Sequence, residues 1–219
     1  MNPHNPTGRV LSRAELEQLA DVALSRDLLV VSDEVHADLV HAPSHHVPFA
    51  SLSDEIARRT VTLYSATKAF NLAGLRCAVA HVGGDRILAR LDRAPDHFYG
   101  VTSVPGVEAT LAAWRDGNPW LAAVTALLGH HRALVTRRLD ALHGVDHLSP
   151  QGTYLSWIDC RRLELDVDPA AWFRQHGVVL SPGADFGPGG QGHVRLNFAT
   201  STAILEQILD RMAGAVGSR

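Results

Sequence analysis

Hydrophobic residues recur along the chain at two different spacings. Leu16, Leu19, Ala20 and Ala23 follow the three- and four-residue steps of a helix. Ser12 precedes them with Glu15 three residues on, the pattern of a capping box that satisfies backbone N–H groups at a helix start. Residues 28–31 then form a short continuous apolar run closing at Ser32-Asp33, as in a buried parallel strand. A helical stretch over 53–59 leads into a second run, 61–64, which ends at Ser65. A third run, 77–82, stops at Gly83-Gly84. Strands alternating with helices predict an α/β sheet.

From Asp85 to His143 the spacing is mainly helical, with one long helix predicted over 120–142 behind the start signal Asn118-Pro119. The character changes after His143-Gly144. Residues 154–158 and 193–198 read as strands, and 169–176 and 203–215 as helices. The expected organisation is a large α/β domain over 1–144 and a smaller α+β domain over 145–219. The opening Asn2-Pro3-His4-Asn5-Pro6-Thr7-Gly8 holds two prolines and a glycine and reads as a loop.

Composition narrows the function classes. Hydrophobic residues make up 46% of the 219 residues and charged residues 20%, as in an ordinary globular protein. A net charge of −3 offers no basic surface for nucleic acid or an anionic membrane. No apolar run is long enough to span a bilayer, and the first residues show no signal-peptide pattern. Cys77 and Cys160 lack metal-type spacing and are expected to be reduced thiols in the cytoplasm. One count matters more. Of the 20 basic residues 19 are arginine, so Lys68 is the only lysine, and chemistry that needs a side-chain amine has one candidate.

The polar residues converge on one place. Asp33 closes the first predicted strand, and Ser65-Ala66-Thr67-Lys68 follows the second. In α/β sheets, ligands collect outside the carboxyl ends of the strands. Arg76, just past Ala73-Gly74-Leu75, can turn back to the same rim.

Five motifs, in order, carry a resemblance: Asn2 to Arg9, Ser32-Asp33-Glu34-Val35-His36, Ser65 to Arg76, Gly152 to Asp159, and Val194 to Ala199. Together they resemble the class I and II aminotransferases, which are pyridoxal 5'-phosphate (PLP) enzymes, and within them the cystathionine β-lyase branch of carbon–sulfur lyases. The resemblance implies a partial PLP-transferase large domain followed by a small C-terminal α+β domain. It implies that Lys68 forms a Schiff base with PLP and then moves the substrate α-proton. Asp33 would pair with the pyridine nitrogen, Asn5 with the ring's phenolic oxygen, and His36 would support the ring. Ser65, Thr67 and Arg76 would hold the phosphate, and Arg195 would clamp the substrate carboxylate. A homodimer is implied, with a small-molecule amino-acid substrate, cystathionine or a related S-substituted cysteine.

Each residue alone has a plainer reading. Asn5-Pro6-Thr7-Gly8 can be only a turn, Asp33 a cap, a lone Lys or Arg a solvated surface group, and His36 a packed histidine. Gly187-Pro188-Gly189-Gly190 lacks the Lys-Ser/Thr of a phosphate loop and reads as a turn. His45-His46 and His130-His131 are adjacent pairs whose side chains point different ways, a poor arrangement for chelation.

Members of the family are longer, with the additional part placed before the residue equivalent to Met1. That part holds a glycine- and serine-rich phosphate turn, an aromatic residue that stacks on the cofactor, and several strands. The expectation is therefore a truncated chain with an open sheet face and an unpaired edge strand. Three outcomes stay open: carbon–sulfur β-lysis giving a thiol, pyruvate and ammonia; transamination; or a non-catalytic fragment that acts through protein contacts.

Overall fold

The structure is a computed structural model and describes residues 1–95 and 97–218. It divides into two compact units, Met1–Pro3 with Val10–Val124 and His4–Arg9 with Thr125–Arg219. The change of character read near residue 145 marks the start of the second sheet, inside the second unit.

In the first unit, α1 (Arg13–Ser25) begins at the expected capping box: Ser12 Oγ accepts from Glu15 N at 3.3 Å, and Glu15 Oε2 accepts from Ser12 N at 2.9 Å. Its apolar stripe, Leu16, Ala20 and Ala23, packs on Phe49 and Ile56. Ile56 lies in α2 (Asp54–Ala57), whose start is capped by Ser53. Strands β1 (Val30–Asp33) and β2 (Thr60–Tyr64) are parallel, with Asp33 level with Leu63. The run read over 77–82 becomes β3 (Val79–Val82), and it pairs with β2 antiparallel, giving the order β1-β2-β3. The antiparallel sense of this pair has a geometric reason. A parallel return needs a crossover, usually a helix, and between β2 and β3 lies only a turn with the short 3₁₀ segment Ala73–Leu75. Helices α3 (Asp85–Leu91) and α4 (Val104–Asp116) follow. The outer edge of β1 is open: Leu29 and Val31 are 62% and 64% exposed. An apolar groove of about 380 Å³, lined by Leu19, Val22, Leu28 and Val31, runs beside it.

Helix α5 (Asn118–Leu139) begins in the first unit and supplies buried Leu128, Leu134, Val135 and Leu139 to the second. The second unit's sheet is antiparallel: β4 (Asp146–His147), β5 (Leu155–Asp159), β6 (Ser181–Pro182) and β7 (His193–Asn197), in the order β4-β5-β7-β6. Alternation along β5 and β7 sends Ser156, Ile158, Val194 and Leu196 into the core and Trp157, Asp159, His193 and Arg195 to the other face. Helix α6 (Pro169–Gln175), capped by Asp168, packs on β6 and β7. In α7 (Thr202–Gly217), Leu205, Leu209 and Met212 are buried at helical spacing. Fully buried His131 ties α5 to the end of β7 and the start of α7, through Phe198 O at 3.1 Å and Thr202 Oγ1 at 2.9 Å. Among the described residues no helix is long and apolar enough to cross a membrane.

Phe173 of α6 is fully buried. Phe173→Ala is expected to lower stability by about 3–5 kcal/mol, the usual cost of a large core cavity. A shift of the urea midpoint with an unchanged slope will report it.

Candidate active-site rim and carboxylate clamp

The first unit presents a rim at the carboxyl ends of β1 and β2. Parallel pairing makes this rim, because Asp33 ends β1 one pair before Tyr64 ends β2. Ser65, Thr67 and Lys68 follow directly in a tight turn, closed by Phe70 N to Ala66 O at 3.0 Å and Leu72 N to Thr67 O at 3.0 Å. Trp120 in the first turn of α5 donates Nε1–H to Ala69 O at 3.1 Å and holds the turn from behind. Asp33 Oδ1 accepts from Val35 N at 3.2 Å, which orients the carboxylate. Among the described residues, no hydrogen bond or ion pair engages the Lys68 amine.

The turn is joined to Arg76 by an unforeseen bond. Ser65 Oγ donates to Cys77 O at 2.6 Å and accepts from Thr67 N at 3.1 Å. Its single proton is therefore used, so Ser65 contacts a phosphate only if the hydroxyl turns. Thr67 Oγ1 lies 2.9 Å from Ser65 Oγ and shares a hydrogen bond with it, while Arg76 keeps donors available. Arg76 is exposed, in left-handed backbone at φ 50° and ψ 45°, a conformation costing a non-glycine residue about 1 kcal/mol or more. A packed neighbour keeps the segment in place. Gly106 of α4 lies so close that a Cβ there would sit 2.9 Å from Leu75 O. His36 is 3% exposed, in the turn that follows β1. Sequence reading missed Tyr64. Its hydroxyl donates to Asp38 at 2.5 Å, its ring stacks on Trp114 at 5.4 Å, and burial followed by Asp38 pushes its pKa up.

A second missed feature lies beneath Asp33. The Glu34 carboxylate, 5% exposed, accepts from Ser32 Oγ at 2.8 Å, Phe49 N at 3.0 Å and His46 Nε2 at 2.8 Å. Burial pushes its pKa up, but the donors from His46, Phe49 and Ser32 outweigh this and hold it below the ordinary value of 4.5.

The second unit contains the other expected residues, and here two of them meet. Arg195 Nη1 donates to Asn5 Oδ1 at 2.8 Å, and Nη2 donates to Ser181 Oγ at 3.1 Å. The guanidinium lies 4.6 Å above the Phe186 ring, an attraction between cation and π-face. Arg195 Nε is buried and has no partner among the described residues. Burial lowers its pKa and nearby Tyr154 raises it, yet a guanidinium stays charged at any physiological pH. The loop that carries Asn5 is fixed by Gly8. Gly8 O accepts from Gln151 N and Gly152 N, both at 2.8 Å, and Gly8 sits at φ +67° with the place of a Cβ 2.3 Å from Pro150 Cβ. On the same sheet face Trp157 stacks on His193 at 5.1 Å beside a recess of about 370 Å³. Two of the polar groups there are engaged: Arg161 holds Asp159, whose pKa falls to about 2, and His193 Nδ1 meets Gln191 O at 3.0 Å. Both ring nitrogens of His147, by contrast, are buried without a hydrogen-bond partner among the described residues.

The segment Gly187-Pro188-Gly189-Gly190 is a packing turn, since a Cβ on Gly190 would lie 1.9 Å from Gly183 O. His46 is committed to Glu34, and His131 to Phe198 and Thr202. Both cysteines are buried and free, and burial, with Asp159 and Asp168, pushes the Cys160 thiol up to about 12.

A lysine, an aspartate, a hydroxyl and an arginine on one strand rim suit a phosphorylated aldehyde with a basic ring nitrogen. A forked cation held by an amide suits a carboxylate. Comparisons with known proteins agree. The family model described as aminotransferase class I and II matches residues 1–212. The chain is 37% identical to the cystathionine beta-lyase PatB of Bacillus subtilis, over 98% of this chain and 57% of that protein. It is 33% identical to a cystathionine beta-lyase of Corynebacterium glutamicum, over 98% and 58%. The crystal structure of OvoB superposes with a TM-score of 0.95 at 41% identity, covering 100% of this chain and 57% of that one. A PLP-bound C–S lyase from Staphylococcus hominis gives 0.90 at 29%, covering 98% and 57%. The chain thus spans a little over half the length of these proteins.

Two outcomes follow. Gly8→Ala meets both a disfavoured backbone angle and Pro150, so it should destabilise the protein by roughly 1–3 kcal/mol, read by denaturant titration. Glu34, with its pKa depressed, contributes stability that is fully present above pH 4.5 and is lost as pH falls through its lower folded value. Glu34→Gln should therefore be less stable than wild type at pH 6, with the gap closing on acidification. A gap that stayed constant with pH would show that the Glu34 charge is not what stabilises.

Proposed function

We infer, because this chain belongs to the class I and II aminotransferase family, that it is a PLP-dependent carbon–sulfur β-lyase acting on cystathionine or a related S-substituted cysteine. The observation that supports this most is the placement of the sole lysine, Lys68, on the rim where Asp33 ends the paired parallel strand.

The residues present fit the cofactor. Lys68 would bind it covalently, Asp33 would face its ring nitrogen, and His36 and Asn5 would contact the ring. Thr67 and Arg76, with Ser65 once its hydroxyl turns, would hold the phosphate. When bound, PLP supplies a conjugated ring that takes up the electron pair left at the substrate α-carbon. Arg195, braced by Asn5 and Ser181, would grip the substrate carboxylate and orient the Cα–H bond. The Lys68 amine would take the α-proton at Nζ. The Cβ–S bond then breaks with its electrons leaving on sulfur, and a proton completes the thiol. Water releases the remaining carbons as pyruvate and the nitrogen as ammonia.

PatB and the Corynebacterium glutamicum protein carry the name cystathionine beta-lyase, which favours lysis over transamination. The proposed assembly is a homodimer in the cytoplasm, with residues 1–144 as the partial cofactor domain and 145–219 as the small domain.

The test is to add PLP to the purified chain, reduce with borohydride and map the peptides. The expected result is a pyridoxyl mass on Lys68 and none in Lys68→Ala, with pyruvate and ammonia released from cystathionine. Label-free Lys68 in a folded chain would refute cofactor binding. An oxo acid that retains the sulfur would refute lysis.

A further inference from the structure

We propose that Glu34 and His46 are positioning residues for Asp33: a buried carboxylate and its imidazole partner hold the strand end that presents the aspartate to the cofactor nitrogen. The proposal rests on the cofactor reading above for the task of Asp33, but its geometry stands alone.

Successive residues of a strand face opposite sides, so Ser32 and Glu34 share one side and Asp33 takes the other. Ser32 Oγ bonds Glu34 Oε1 at 2.8 Å, and this closes a clasp over the residue between them. Glu34 then reaches outward. Its Oε1 also accepts from Phe49 N at 3.0 Å, and its Oε2 from His46 Nε2 at 2.8 Å. Phe49 belongs to the core cluster with Leu16, Ala20 and Ile56, so the clasp is anchored in the packed interior. On the strand itself Asp33 O accepts from Asn2 N at 2.9 Å, and Glu34 N donates to Leu63 O at 2.9 Å. The backbone at Asp33 is held from both sides, and Val35 N sets the carboxylate at 3.2 Å.

Simple packing does not account for the choice of residues. A buried carboxylate costs several kcal/mol unless well paired, and an apolar pair of similar volume does as well for stability alone. What the carboxylate adds is direction. Three donors fix both oxygens, and its charge lies on the chain next to the residue that must meet a protonated ring nitrogen. His46 supplies only its Nε2–H: its Nδ1 is buried without a partner among the described residues. A neutral donor at that position therefore suffices, and glutamine can supply one.

The experiment compares the full chain with Glu34→Gln, His46→Phe and His46→Gln, each shown folded by its melting curve. Two readings are taken: hydrogen exchange of the Val35 amide without cofactor, against the β2–β3 amides as reference, and the dissociation constant for PLP. In Glu34→Gln and His46→Phe, Val35 exchange should rise and PLP affinity fall, each roughly tenfold, as when a supporting partner is lost. His46→Gln should stay within about twofold of wild type. Unchanged Val35 exchange in Glu34→Gln and His46→Phe overturns the proposal, and so does a His46→Gln as impaired as His46→Phe, which would mean packing alone matters. If Glu34→Gln does not fold, the two His46 variants decide. If wild type takes up no PLP, the cofactor reading falls and Val35 exchange alone decides the positioning claim.

Discussion

The parallel pairing of β1 with β2 is the constraint on which the rim depends. Its register sets Asp33 level with Leu63, so an acid at the end of one strand and a lysine turn at the end of the next open on the same side. A one-residue slip would send Asp33 to the opposite face and bring the Ser32 and Glu34 side chains to the rim. The register is resisted from several directions: Asn2 bonds to Asp33 O, Glu34 bonds to Leu63 O, and the Glu34 clasp runs into the α1 core. The chemistry of the rim is thus a by-product of strand register, and the residues that guard the register are as much part of the site as those that face a ligand.

The two halves of the candidate machinery rest on different physics. The rim is built from main-chain geometry, with strand ends, a tight turn and an arginine in left-handed backbone. The Arg195 clamp is built from side chains: an amide, a hydroxyl and an aromatic face surround one guanidinium. Backbone sites tolerate side-chain change except where a Cβ cannot fit, as at Gly106. Side-chain clamps fail when one partner is removed and a buried charge loses its bond.

Local features were legible in the sequence. The Ser12-Glu15 capping box and the Asn118-Pro119 start of α5 arise from neighbours within a few residues and appear as read. The apolar runs do yield the strands β1 and β2, but β1 starts two residues later than its run, and Leu28, Leu29 and Val31 are exposed where a buried strand was expected. The position of Lys68 after a strand and its status as the only lysine were equally plain. The antiparallel sense of β3 was not, because an apolar run reads the same in either direction. Nor were the Glu34–His46 bond, the Ser65–Cys77 bond and the Asn5–Arg195 bond, which join residues 12, 12 and 190 positions apart. Asn5 and Arg195 were assigned separate tasks, and only the fold makes them partners. Phe186 under the guanidinium had no signal at all, since nothing in a lone Phe reports what it faces.

The span of the Asn5–Arg195 bond also sets a schedule. During synthesis at about 5–20 residues per second, Asn5 waits roughly 10–40 s for Arg195 to be made. Residues 1–3 and 10 onward can settle into the first unit while residues 4–9 remain without the sheet they belong to. Asn5 and Arg195 can therefore meet only after the strands and the lysine turn of the rim have been made. A ribosome stalled between the lysine turn and residue 195 would hold a chain with Lys68 already made and Asn5 still without its partner.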